Sequence, residues 1–160
     1  MTSLEELYRR YSQDVFRFAY WLSGSRSEAE DIVSETFVRA WAGAEDLRMN
    51  TVKAYLIAIA RNLFLQRRRR EGRHQELDAG LRDPGPGPEQ EVERQDELRA
   101  VLEQLQRLPE ADRAALLMHA ELELPYDEIA RALGLSLSAV KVRVHRARLK
   151  LARACPRGEE

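Results

Sequence analysis

Between residues 84 and 88 the chain reads PGPGP. Its prolines remove backbone donors and lock φ, and the glycines between them offer a strand nothing to pack, so no regular element crosses this point. The elements on either side of it are therefore read as two halves, each with a small core. The surrounding stretch, "HQELDAGLRDPGPGPEQE", reads as a flexible acidic linker over residues 74–90. It divides an N-terminal body, residues 1–73, from a C-terminal body, residues 91–155.

Both bodies carry helical rather than strand periodicity. Leu4, Leu7, Tyr8, Tyr11, Val15, Phe18 and Leu22 recur at three and four residues, and Ser3 with Glu6 forms a capping-box start. A second helix is expected from the capping pair Ser27 and Glu30, with Ala29, Ile32, Val33, Thr36, Phe37, Ala40 and Trp41 inward and Gly43 as its C-terminal stop. A third runs from about Thr51 to Glu71 with Val52, Leu56, Ile59 and Leu63 inward. After the break, helices resume, halt at Pro109 and continue to the C-terminal body's end. The fold class is therefore all-α: two small helical domains joined by a Pro/Gly linker. Each body is small for an independent core, which points to a partner.

Charge is sorted along the chain rather than mixed. The total is −1, from 26 Lys and Arg against 27 Asp and Glu. Arg61 to Arg73 nevertheless holds six arginines and one glutamate, and Lys141 to Arg153 holds six bases and no acid. His74 to Ala100 and Glu28 to Asp46 each carry a net −5. Two modest basic patches neutralise few phosphates, so binding to duplex DNA is weak unless another body brings the protein there.

The C-terminal basic patch has a specific form. In "EIARALGLSLSAVKVRVHRAR", Tyr126 to Leu133 makes one short helix, Gly134 permits the positive φ of a tight turn, and Ser136 caps a second helix. Rotation by about 100° per residue puts Val140, Val144, Ala147 and Leu151 on a buried stripe. Ser138, Val142, His145 and Arg146 then face outward. Lys141 and Arg148 flank them on one shoulder, Arg143 and Lys150 on the other. This is the layout of a helix-turn-helix, with base-edge contacts central and phosphate contacts lateral. A solvated helical hairpin normally mixes its charges; this face has no acid.

With both bodies in view, the chain resembles the extracytoplasmic-function (ECF) group of RNA polymerase sigma factors in the sigma-70 family. "SEAEDIVSETFVRAW" and "YLIAIARNLFLQRRRR" are similar to the domain that binds polymerase and the −10 promoter element. "LQRLPEADRAALLMHAELELPYDEIARALGLSLSAVKVRVHRARLKL" is similar to the domain that binds the −35 element. The resemblance implies a transcription initiation factor that binds core RNA polymerase and directs it to promoter DNA, with no catalysis of its own. It implies that Asp31, Ser34, Glu35 and Val38 dock on the coiled coil of the polymerase's largest subunit. It also implies that Arg48, Asn50, Tyr55, Arg61, Arg67 and Arg68 serve the melted −10 strand, and that an anti-sigma factor is a partner. Tyr55 stands where the family often has tryptophan, Val52 and Ile57 where it has aromatics, Pro125 where it has serine or threonine, and Val142 where serine is common. An exposed valine packs on a thymine methyl, which predicts a thymine in the −35 element beside Val142.

The remaining chemistry is sparse. His74, His119 and His145 are too scattered for a metal site, and Cys155, the single cysteine, permits no internal disulfide. No nucleophile–base pair and no phosphate-cradling glycine loop is present, so neither a cofactor nor a catalytic residue is expected. "MTSLEELYRR" lacks the order of a secretory signal, and no apolar run reaches the roughly 20 residues of a membrane span, so a cytoplasmic protein without membrane insertion is expected. Under the sigma-factor resemblance, the acidity of the linker is expected to occupy the basic channel through which RNA leaves polymerase. The alternative reading is an autonomous helix-turn-helix regulator that dimerises through its N-terminal half.

Overall fold

A computed structural model describes residues 3–43, 49–74 and 92–155. Every regular element among them is helical. The N-terminal half holds α1 (Leu4–Ser23), α2 (Arg26–Ala42) and α3 (Val52–His74). The C-terminal half holds α4 (Val92–Arg107), α5 (Glu110–Leu116), a π-helical turn (Leu117–Glu121), α6 (Tyr126–Leu133) and α7 (Leu137–Ala154).

The helix starts follow local chemistry. Ser3 Oγ accepts from the Glu6 amide, and Gly24, at φ 76°, ends α1 in the left-handed conformation. The immediate consequence is that α2 begins two residues earlier than the Ser27 capping pair suggested. Ser25 is the first residue after the glycine turn in an extended conformation, and its Oγ takes the Glu28 amide. Thr51 Oγ1 accepts from the Ala54 amide at the start of α3. Gly43 closes α2 as expected.

The inward stripes are largely those expected: Val15, Phe18 and Leu22 on α1, Ile32, Val33 and Phe37 on α2, and Leu56, Ile59 and Leu63 on α3 are buried. Three positions depart. Tyr8, Trp41 and Val52 stand about half exposed, Trp41 at 54 %. Trp41 and Val52 lie at helix ends, and Tyr8 is covered on one side by the Phe37 ring, 5.1 Å away, so correct periodicity does not secure burial.

The two halves pack on each other. One continuous buried cluster runs from Val15 and Phe64 through Leu105, Met118 and Ile129 to Val144 and Ala147. Arg113, on α5, is 7 % exposed and ties the halves together. Its guanidinium donates to the Leu22 carbonyl at the end of α1 and, at 3.3 Å, to the Leu108 carbonyl. It also donates to Gln106 Oε1 and lies over the Phe64 ring. Gln106 Nε2 in turn donates to the Trp21 carbonyl at 2.8 Å. The small cores that required a partner find part of it in one another. The linker expected at residues 74–90 falls, apart from His74 at the end of α3, outside the described residues.

Candidate nucleic-acid and polymerase interface

The helix-turn-helix is built by α6, a turn at Gly134 (φ 67°) and α7. Pro125 precedes α6 and supplies no side-chain cap. Ser136 Oγ accepts from the Ala139 amide and fixes the start of α7. Val140, Val144 and Ala147 are buried, so the opposite surface of α7 must face out. Ser138, Lys141, Val142, His145, Arg146, Arg148 and Lys150 are all exposed. Leu149 is exposed beside them.

Arg143 differs from the other shoulder residues. Its Nη1 donates to Asp112 Oδ1 at 2.7 Å, and Asp112 is wholly buried. A carboxylate without solvent needs such a donor. One end of Arg143 is thus anchored to α5, which sets the height of its guanidinium on the α7 shoulder. The ring of Tyr126 lies between two neighbours, stacked on His119 with centroids 4.7 Å apart and under the Lys141 ammonium at 5.8 Å. Burial, with Arg148 nearby, pushes the His119 imidazole below its ordinary range, so it is neutral near pH 7.

On α2 the polymerase candidates Asp31, Ser34 and Val38 are exposed, and Glu35 is half-buried. Among the described residues Val38, at 63 %, is the most exposed of the large apolar side chains, and Trp41 stands three residues on, one helical turn away. Trp41 was missed by the sequence reading, which placed it in the core stripe. Glu35 accepts from Arg39 at 3.0 Å. Asp31 faces Arg67 of α3 at 3.5 Å, joining a polymerase candidate to a strand candidate.

The −10 candidates do not form one open surface. Arg48 lies outside the described residues. Arg67 is held by Asp31 as above. Arg68 is tethered to Glu71, to Glu28 at 3.4 Å and to the Ser23 carbonyl at 3.1 Å, and lies over the Phe64 ring. Burial raises the Glu28 carboxyl above its usual range, and the Arg68 charge opposes that shift. Tyr55 is half-buried. Arg61 and Asn50 are both engaged by the C-terminal half: Arg61 by Glu110 of α5, Asn50 by Glu128 and Arg131 of α6. Neither acid was singled out from the sequence.

The two halves correspond to two known units. Residues 7–74 match Sigma-70 region 2, and residues 98–151 match Sigma-70, region 4. RNA polymerase sigma factor YlaC of Bacillus subtilis is 30 % identical over 99 % of this chain and 95 % of its own length. The chain belongs to the ECF group of the sigma-70 family. The ECF RNA polymerase sigma factor SigE of Mycolicibacterium smegmatis is 37 % identical over 94 % of this chain, which spans 61 % of that protein's length. The sigma factor RpoE of Bartonella quintana, solved in complex with the anti-sigma factor NepR, superposes with a TM-score of 0.80 at 26 % identity, covering 97 % of this chain and 98 % of that one. As a sigma factor, the chain is a transcription initiation factor and not an enzyme. Among the described residues no helix is long and apolar enough to cross a membrane.

Proposed function

We propose that this sigma factor docks on core RNA polymerase through α2, takes the melted −10 strand at the loop before α3 and along α3, and reads the −35 duplex with α7. The observation that carries the reading is the outward surface of α7. It is acid-free over thirteen residues, with Ser138, Val142, His145 and Arg146 central and cations on both shoulders. Base edges meet the centre, while Lys141, Arg143, Arg148 and Lys150 take phosphates. Asp31, Ser34, Glu35 and Val38, now joined by Trp41, form an acidic-rimmed apolar ledge suited to a basic helical partner. Asn50, Tyr55, Arg61, Arg67 and Arg68, with Arg48, serve the displaced strand. The functional division follows the boundaries 1–73, 74–90 and 91–155. The likeness to RpoE supports an anti-sigma factor as a further partner, and the protein works in the cytoplasm with polymerase.

Purified protein added to core polymerase on a random promoter library should yield specific transcripts and a shared two-part promoter sequence. Two-fold protected sites bound without polymerase would instead establish the autonomous regulator. Val142, 53 % exposed, gives a finer test. Val142→Ser should reduce selection for thymine at one −35 position, by roughly the 1–3 kcal/mol of a base contact at most. Unchanged selected sequences would remove the methyl contact from the reading.

A further inference from the structure

We infer that Asp112, too deeply buried to touch DNA, is the positioning residue that sets how α7 lies on the −35 duplex. It does so by fixing the Arg143 guanidinium in place and cancelling its charge. This rests on the phosphate role proposed above for Arg143.

Lys141 to Arg153 supplies six bases and no acid, yet the fold brings one acid in from beneath. Asp112 lies on α5, 31 residues before Arg143, and its Oδ1 accepts from Arg143 Nη1 at 2.7 Å. Ala114, Ala115 and Leu116 of the same helix are buried with it, so this short side chain stands on tightly packed backbone. Arg143 reaches it while keeping 31 % of its side chain exposed. The bond uses one nitrogen of the guanidinium; Nε and Nη2 meet no protein acceptor among the described residues. A long side chain that otherwise samples many rotamers is thus pinned at one corner, with the rest of its fork left for a phosphate. Lys141, Arg148 and Lys150 are exposed instead. Among the described residues Arg143 is the one base of α7 paired with a carboxylate.

Stability does not account for the acid. Asp112 is 0 % exposed and its Oδ2 has no hydrogen-bond partner. A desolvated ion pair so incompletely satisfied gains little over an apolar side chain of similar size. Position does account for it. Exposed cations on long stems draw in any duplex and release its counterions, but they leave the register of α7 open. A guanidinium held at a fixed height accepts a phosphate at one place. Because Asp112 cancels its charge, it adds nothing to indiscriminate attraction. The pair therefore widens the gap between right and wrong duplex instead of tightening the grip on both.

The test uses holoenzyme assembled from core polymerase and each variant. Fluorescence anisotropy follows its binding to a labelled promoter duplex with the −35 element selected from the library, and to one with that element scrambled, over a range of KCl. D112N keeps an acceptor and removes the charge, whereas D112L removes both. In both variants the log–log salt slope should steepen by about 0.9, as for one more phosphate neutralised. The ratio of selected to scrambled affinity should fall about tenfold in D112L and stay within about twofold in D112N, because only D112L releases the guanidinium. A merely structural role would leave the slope alone. R143K, on the surface, keeps the charge and loses the fork, so it should lower the ratio about tenfold at the parental slope. If D112L loses its circular dichroism, the D112N slope decides the matter. A parental slope in D112N, or a parental ratio in both D112L and R143K, overturns the proposal. Arg143→Ala separates the two layers. If it changes neither affinity, Arg143 does not meet the duplex and its phosphate role falls. If it weakens the selected duplex while D112L and R143K behave as the parent, only the positioning by Asp112 falls.

Discussion

Arg113→Ala should cost the free protein about 3–5 kcal/mol and split one cooperative unfolding transition into two. Three consequences act together. The carbonyls of Leu22 and Leu108 lose their donor in a buried setting, the methylene stem leaves a void, and the strap between α1, α4 and α5 is gone. Against them stands relief of a buried charge, which burial already disfavours enough to lower the guanidinium's pKa. The relief is incomplete compensation, because the orphaned acceptors remain. Arg113→Met separates these effects: it keeps most of the volume and removes the charge, so it should cost about half as much. Urea melts followed by circular dichroism provide the measurement. A loss below about 1 kcal/mol in both variants would mean that the halves are held by their apolar contacts alone. A single sharp transition in Arg113→Ala would show that the strap is not what couples them.

Trp41→Ala should lower affinity for core polymerase by roughly thirtyfold with little change in stability. An exposed indole beside an exposed valine is the type of anchor that dominates an interface, where truncation removes about 2 kcal/mol or more. Because Trp41 is 54 % exposed in the free chain, little of its packing is lost when it is truncated. Titration of labelled sigma factor with core polymerase checks the first half of the statement, and thermal unfolding checks the second. An unchanged affinity would confine the docking surface to the acidic edge of Asp31, Ser34 and Glu35. A large fall in stability would return Trp41 to the core.

Much of α7 was legible beforehand. Its buried stripe of Val140, Val144 and Ala147 is a one-period signal, and a helix of that length has no alternative way to hide it. The Gly134 turn and the Ser136 cap depend on neighbours five residues away or fewer. What could not be read was whatever depends on distant partners. Asp112 and Glu128 look like ordinary surface acids in the chain, yet both are buried, one against Arg143 and one against Asn50. Arg61 and Glu110 lie 49 residues apart on opposite sides of the PGPGP break. No local pattern distinguishes an arginine awaiting phosphate from one already matched to a carboxylate. The misplacement of Trp41 and Val52 has a related origin: periodicity states which way a side chain points, not how far the neighbouring helix extends.

The π-helical turn at Leu117–Glu121 carries a consequence of its own. Its wide geometry is marked by the Leu122 amide reaching back to the Leu117 carbonyl at 3.1 Å. Such a turn holds one residue more than regular winding accommodates. It therefore shifts by about 100° the point at which the chain leaves this helix, ahead of residues 122–125 that lead into the helix-turn-helix module. Shortening it by one residue would leave every side chain of that module intact and aim the module in another direction. The direction in which the chain leaves for the helix-turn-helix is thus set by a backbone count rather than by any side chain.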